Sequence, residues 1–376
     1  MAAGRPTIAD VARAAQVSPS TASVVFSGKA SVTEATRTRV LDAAASLGYT
    51  GPDPRAASLR RGSSGIVGVV FEEHLGSAFR DPIKAVMMDG LADGVAPLGA
   101  GLLLLRDDAG ANDAGANDAG ANDARPGESA GAALPAPSLR SAPVDAVVLV
   151  GCSGRLTESL DAIRGRGIPV VVIEGDAGPG VPRVELDNRE AQRHAARHLR
   201  TLGHQRVAIV TLPFEADRWR GWVEPDDGRT PTVEVTRDRL AGARDVFPDA
   251  RVYAAGASLI DEGLAAGRVI LADAAARPTA VIAQSDLLAA GVVRAAEELG
   301  LSVPGDISVT GFDGITVDGF APYELTTLVQ PAAEKGRAAG TIVTRMIQGL
   351  DVASLSFTCT FRVGNTTGPP RGVTQD

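Results

Sequence analysis

The sequence predicts a small all-α head joined to an α/β body, and three observations predict it. Three short helical patterns fill the first fifty residues, apolar runs alternate with helical ones from Ile66 onward, and the charge divides between the two parts. The chain's net charge is −8, yet residues 1–62 carry eight Lys and Arg against Asp10, Glu34, Asp42 and Asp53. That leaves a basic head on an acidic remainder, the asymmetry of a chain that meets nucleic acid with one part only. At 376 residues there is room for a small module plus one large or two medium domains. Apolar residues make up 44% and charged ones 22%, which excludes a disordered chain. No apolar run approaches the ~20 residues of a membrane span, and the start MAAGRPTIAD has no apolar signal core, so a cytosolic location is expected. Cys152 and Cys359 are too few for a disulfide framework and are expected as buried, reduced thiols.

In chain order, Thr7 followed by Asp10 is a capping-box-like start, and Ile8, Val11, Ala12 and Ala15 recur on one face of a two-turn helix. After a turn at Gln16-Val17, Ser18 caps a second helix with Pro19 at its first position, where a missing N–H costs nothing, and Gly28 ends it. A third helix starts near Thr33, is expected to bury Val40, Leu41, Ala44 and Leu47, and stops at Gly48. Helices this short are unstable alone and must share a core. The second helix presents Ser20, Thr21, Ser23 and Val24 outward. In a helix-turn-helix the start of the second helix meets base edges, while hydroxyls and amides at helix starts hold phosphates. A three-helix bundle without a DNA role is the alternative that periodicity leaves open.

The run TIADVARAAQVSPSTASVVFSGKASVTEATRTRVLDAAASLGY resembles the head of the LacI/GalR family of bacterial transcriptional regulators, and RAASLRRG is similar to that family's hinge helix. The resemblance implies a homodimer that places two recognition helices in adjacent major grooves of a near-palindromic double-stranded operator. It also implies paired hinge helices in the central minor groove with Leu59 wedged into a base step, a kink that extra contact with the bent duplex offsets. The DNA-contacting positions are then Thr7, Ser18, Pro19, Ser20, Thr21, Ser23, Val24, Lys29, Thr36, Arg55, Ala56 and Leu59. Two departures matter. Val24 stands where members often carry a base-reading arginine; it can touch a thymine methyl but cannot pair bidentately with guanine. Pro19 replaces a longer base-contacting side chain, so the operator differs from that of well-known relatives. Phosphate contact from Lys29, Arg55, Arg60 and Arg61 supplies the non-specific affinity.

In the body the apolar runs IVGVVF, GLLLL, VDAVVLVG, IPVVVIEG, RVAIVTL, VYAAG, AVIAQS and ISVTGFD are separated by helical patterns at about 82–98, 156–164, 190–202, 235 onward, 262–276 and 287–299. Continuous apolar strands between helices are the mark of parallel sheets covered on both faces, and there are enough strands for two. The resemblance implies a periplasmic-binding-protein-like body of two Rossmann-like lobes. The expected division is a helix-turn-helix domain at 1–50, a hinge at 51–62, and an effector-binding and dimerisation body at 63–376. Lobe 1 takes about 63–187 plus 328–349, and lobe 2 about 188–327 plus 350–365. The repeat AGANDAGANDAGAND within 107–143 has no packed face and reads as a disordered insertion. A second insertion at 213–235 holds Trp219 and Trp222; it either hangs over the cleft or is a surface loop pinned by its tryptophans.

Ligands of open α/β lobes sit just past the strand ends. The resemblance places effector contacts at Ser285, Asp313 and Arg239, with Phe79 and Asp81 closing the cleft from the first lobe. An arginine, carboxylates, a hydroxyl and an aromatic suit a sugar or sugar derivative, whose hydroxyls need donors and acceptors. Asp286 is expected to cap the helix that follows it, and Asp187 to be structural. His194 and His198, four apart on one helix with His204 beyond, have zinc spacing but no HExxH glutamate or nearby cysteine, so a solvated helix face and no metal are expected. No cofactor is expected, and no nucleophile elbow or phosphate loop points to an enzyme. The expected function is a DNA-binding transcriptional regulator, a repressor controlled by a small-molecule effector. The alternative is a solute-binding receptor without DNA function.

Overall fold

The computed structural model describes residues 6–27, 31–51, 58, 62–71, 79–106, 141–152, 157–215, 218–224 and 227–371. The chain forms two compact units, Met1–Gly65 and Ile66–Asp376.

The head consists of α1 (Ile8–Ala14), α2 (Pro19–Ser27) and α3 (Glu34–Leu47). Thr7 and Asp10 make a complete capping box on α1: the Asp10 amide donates to the Thr7 hydroxyl, and the Thr7 amide and hydroxyl donate to the Asp10 carboxylate at 3.0 and 2.7 Å. Gln16, left-handed at φ 54°, turns the chain into α2, and Gly48 at φ 66° closes α3. The shared core is made of small side chains: Val11, Ala12, Ala15, Ala22, Val25, Val40 and Ala44. Leu41 and Leu47, expected inside, are 45% and 39% exposed. Leu41 is turned about 100° off the line from Val40 to Ala44. The space at the end of α3 is taken instead by Tyr49, which meets Phe26 edge-on with ring centroids 5.3 Å apart. Lys29, Arg55, Ala56, Leu59, Arg60 and Arg61, and the AGAND repeat with them, lie outside the described residues.

The body runs β1 (Ile66–Phe71), α4 (Pro82–Val95), β2 (Gly101–Arg106), β3 (Ala146–Cys152), α5 (Thr157–Gly165), β4 (Val170–Gly175) and β5 (Arg183–Leu186). It continues with α6 (Asn188–Thr201), β6 (Val207–Thr211), β7 (Gly221–Val223), α7 (Glu234–Arg244), β8 (Arg251–Ala254), α8 (Ile260–Leu271), β9 (Ala280–Ala283) and α9 (Asp286–Glu298). It ends with β10 (Ser308–Thr310), β11 (Thr327–Val329), α10 (Ala332–Ile347), β12 (Leu355–Phe357) and β13 (Thr360–Arg362).

These strands build two sheets, ordered β12-β5-β4-β3-β1-β2 and β10-β9-β6-β8-β7. Every pairing in the first is parallel, and the second is parallel except for β7. Central strands such as Val67–Phe71, Val170–Ile173 and Val207–Thr211 are buried throughout, as sheets covered on both faces require. The chain passes between the lobes near Asp187, at β11 and at β13, and the last two pair antiparallel.

Three features differ from expectation or were not foreseen. Leu355–Phe357 pairs with Val184–Leu186, so it belongs to the first lobe's sheet, not to the second lobe where 350–365 was placed. This strand has only three residues and follows a polar turn, too short for a periodicity signal. Gly221–Val223 of the second insertion adds an antiparallel edge strand, with Trp222 edge-on to Tyr253 at 5.6 Å and Trp219 under the Arg229 guanidinium at 4.2 Å. Trp222 thus pins the insertion to the second lobe, and Trp219 also packs on that lobe's core. In lobe 1, α4 and α10 pack backbone to backbone: a methyl on Gly90 would collide with the Ala333 carbonyl, and one on Gly336 with that of Met87. Only glycine permits that approach.

Candidate functional site

The head presents one polar surface. The Ser18 hydroxyl accepts from the Thr21 amide at 3.1 Å and lies 2.8 Å from both the Ser20 and Thr21 hydroxyls. It therefore caps α2, leaving the helix start with an exposed row of Ser18, Pro19, Ser20 and Ser23. Thr21 and Val24 are half-buried at its edge, while Ala22 and Val25 turn into the core. Thr7 is exposed at the start of α1, and Thr36 is half-buried with its hydroxyl 2.9 Å from that of Thr33. Small hydroxyl side chains at the capped helix starts form a surface on which a phosphate and a base edge can both lie close.

The body's polar groups collect where strands end. Arg239, on α7 and 3% exposed, lies flat on the Phe312 ring at 3.5 Å. Its Nε donates to Asn188 Oδ1 at 2.8 Å, its Nη1 donates to the Gln284 carbonyl at 2.6 Å, and Nη1 stands 3.7 Å from Asp313 Oδ1. Asp313 follows β10 with φ 116°, outside the usual range for a side-chain-bearing residue, and its neighbour Gly314 at φ 80° has no room for a Cβ against Val329. Strained backbone held by surrounding packing concentrates at working sites. From the first lobe Asp81 caps α4 by accepting from the Ile83 amide at 3.1 Å and lies 3.7 Å from Lys84 Nζ.

Burial drives the electrostatics. It pushes the Asp313 carboxyl up to about 7 against the pull of Arg239, and the Asp81 carboxyl up to about 6 against the pulls of the Ile83 amide and Arg239. Arg239 thus opposes burial at a carboxyl of each lobe, standing closest to Asp313 at 3.7 Å. Burial likewise lowers the Lys84 ammonium to about 8, opposed by Asp313. Carboxyls poised near neutrality can donate or accept a hydrogen bond, as recognition of ligand hydroxyls requires.

Of the residues singled out in the sequence, the structure brings Asp81, Arg239 and Asp313 together, with Ser285 alongside on the strand end that supplies the Gln284 carbonyl. Phe79 is 59% exposed, unlike these buried groups. The Ser285 hydroxyl oxygen accepts from the Leu288 amide at 3.2 Å and from the Ser258 hydroxyl at 2.9 Å. Ser285, not Asp286, therefore caps α9. Asp286 instead clamps the loop after β10, accepting from the Gly314 and Ile315 amides at 2.7 and 2.8 Å and from the Thr327 hydroxyl. Asp187 caps α6 through the Glu190 amide at 3.0 Å. His194 stacks on Phe361 at 4.8 Å, His198 lies 3.0 Å from the Thr367 hydroxyl, and His204 bonds Thr279 and the Gly368 carbonyl. Burial pushes the Cys359 thiol up to about 12, which disfavours the reactive thiolate. The residues not foreseen are Glu174, Asn188, Gln330 and Lys335. The first three each lie at or just past a strand, the signal that selected Asp313 and Ser285.

Comparison with known proteins follows the same division. Residues 7–51 match the model for bacterial regulatory proteins of the lacI family. Residues 126–223 match periplasmic binding proteins and the sugar binding domain of the LacI family, and 196–357 a periplasmic binding protein-like domain. The HTH-type transcriptional regulator Rv3575c of Mycobacterium tuberculosis is 33% identical over 97% of this chain and 98% of its own. The chain belongs to the LacI family. It is a DNA-binding transcriptional regulator with a helix-turn-helix head and a periplasmic-binding-protein-like body. The lac repressor dimer bound to operator and an anti-inducer shares the fold, with a TM-score of 0.71 at 21% identity over 96% of this chain and 99% of that one. So does a transcriptional regulator in complex with cellobiose, with a TM-score of 0.61 at 23% identity over 96% and 100%. Among the described residues no helix is long and apolar enough to cross a membrane.

Proposed function

We propose that this regulator is a cytoplasmic homodimeric repressor that binds a near-palindromic operator and is controlled by a sugar or sugar derivative bound between its lobes. The observation that carries the effector reading is Arg239, a buried guanidinium stacked on Phe312 and 3.7 Å from the Asp313 carboxyl, with the buried Asp81 carboxyl of the first lobe within its electrostatic reach. A polyhydroxylated ring satisfies such a set, since each hydroxyl offers one donor and two acceptor positions. The cellobiose-bound relative by fold supports the ligand class, and the operator-bound lac repressor supports the dimer and the repressor role. In the head, Thr7, Ser18, Ser20, Thr21, Ser23 and Thr36 hold phosphates and base edges, while Val24 favours a thymine methyl over guanine. Lys29, Arg55, Ala56 and Leu59 extend that surface in this reading, with Leu59 as the minor-groove wedge. Ligand and operator then influence each other through a coupling free energy between two sites.

Selection of bound sequences from a random DNA pool, followed by gel shift at low salt, tests the operator reading. The expected product is a two-fold site without the guanine an arginine would read at the Val24 position. A pool that yields asymmetric or unrelated sequences contradicts the dimeric reading.

A further inference from the structure

Six side chains, Arg239 and Asp313 among them, close into a ring that crosses from one lobe to the other. Lys335 Nζ, on the first turn of α10, lies 3.0 Å from Glu174 Oε2 and donates to Gln330 Oε1 at 2.5 Å. Glu174 Oε1 accepts from Asn188 Nδ2 at 3.2 Å, and Asn188 Oδ1 accepts from Arg239 Nε at 2.8 Å. Asp313 Oδ1 stands 3.7 Å from Arg239 Nη1 and accepts from Gln330 Nε2 at 2.6 Å, which completes the circuit. Lys335 is 1% exposed, and Glu174, at φ 54°, is a second ring member held in the left-handed region. Burial pushes the Glu174 carboxyl up, but Lys335 and Arg239 outweigh it and hold it below the usual range. Every carboxylate in the ring thus faces a cation, and each amide side chain both donates and accepts.

We propose that Lys335 is a positioning residue: through Glu174, Asn188 and Gln330 it fixes Arg239 and Asp313 in register across the two lobes. The inference rests on the reading of Arg239 and Asp313 as effector contacts. Lys335 reaches neither directly in the ring, yet both of its bonds lead to one of them, by Glu174 and Asn188 on one side and by Gln330 on the other. Fully satisfied buried networks specify one arrangement, and a partly satisfied one releases it. Because α10 is glycine-packed on α4, which Asp81 caps, the ring also ties Arg239 to the opposite wall of the cleft.

Hydrogen exchange followed by mass spectrometry on the full chain tests this without any effector, so its outcome is separate from that of ligand titration. Lys335→Met is compared with Lys335→Met combined with Glu174→Gln, which opens the ring but leaves no lone buried carboxylate. In both variants exchange is expected to rise about tenfold or more in peptides spanning Asp313–Ile315 and the Arg239 turn of α7, while β3 of the first lobe stays protected. A rise confined to α10 and its packing partners would overturn the proposal. So would a return to wild-type exchange in the double variant, since that would mean Lys335 serves only to neutralise Glu174.

Discussion

The head and the cleft solve the problem of placing polar groups in opposite ways. In the head, the polar surface and the core that supports it come from about forty consecutive residues, and the Ser20, Thr21 and Ser23 hydroxyls each lie one or two positions from the buried Ala22 or Val25. In the cleft, Asp81, Glu174, Asn188, Arg239, Asp313 and Lys335 come from six separate segments, and all but Glu174 are buried. The head exposes neutral groups over a thin core; the cleft buries charges and balances them. The lesson is that local stability limits the first site, while long-range register limits the second.

That contrast breaks most sharply if the head fails while the body does not. Val40→Asp puts a carboxylate into a core of seven small residues, at a cost of several kcal/mol that such a module cannot absorb. Operator affinity is expected to fall about a hundredfold or more, the equivalent of ~3 kcal/mol, with the main calorimetric transition of the body unchanged. A parallel loss of the body transition would show that the two units are not independent.

Arg239→Lys reverses the test. It keeps the charge but loses the planar fork and the stack on Phe312, and is expected to weaken effector binding by roughly tenfold or more, with operator binding intact when no effector is present. Isothermal titration and gel shift on one preparation report both quantities.

A smaller effect separates the sites by pH. The Asp81, Asp286 and Asp313 carboxyls are all pushed up by burial, to about 6, 7 and 7. A raised folded value means the unfolded chain holds fewer protons between the two values, so the stability these groups contribute is lost as pH rises from about 4 toward 7. The body's melting temperature is therefore expected to fall between pH 5 and pH 8, and Asp286→Asn to flatten that slope. The smallest expected change is in the head: Thr21→Val removes a hydroxyl at constant shape, for about 1 kcal/mol and a roughly fivefold loss of operator affinity.

The same contrast explains what could be read in advance. The three head helices, with their caps at Thr7, Ser18, Thr33 and Gly48, are local patterns, as are the long apolar strands; both were legible. Leu41 and Leu47 were misplaced because the identity of the covering residue, Tyr49, is a tertiary choice. Strands of three residues such as β12 carry no period at all. In the cleft, the resemblance pointed to Arg239 and Asp313, whereas nothing in the sequence singled out Lys335. Its partner Glu174 lies 161 positions away, and nothing local announces the pair.

The most direct test of the account is one titration of the full chain on its selected operator with a panel of neutral sugars, read by fluorescence anisotropy alongside thermal shift. The account predicts that a sugar which raises the body's melting temperature also changes operator affinity by about fivefold or more, the usual size of a coupling between sites, and that Arg239→Lys weakens both responses together. A sugar that binds the body tightly and leaves operator affinity unchanged would contradict it.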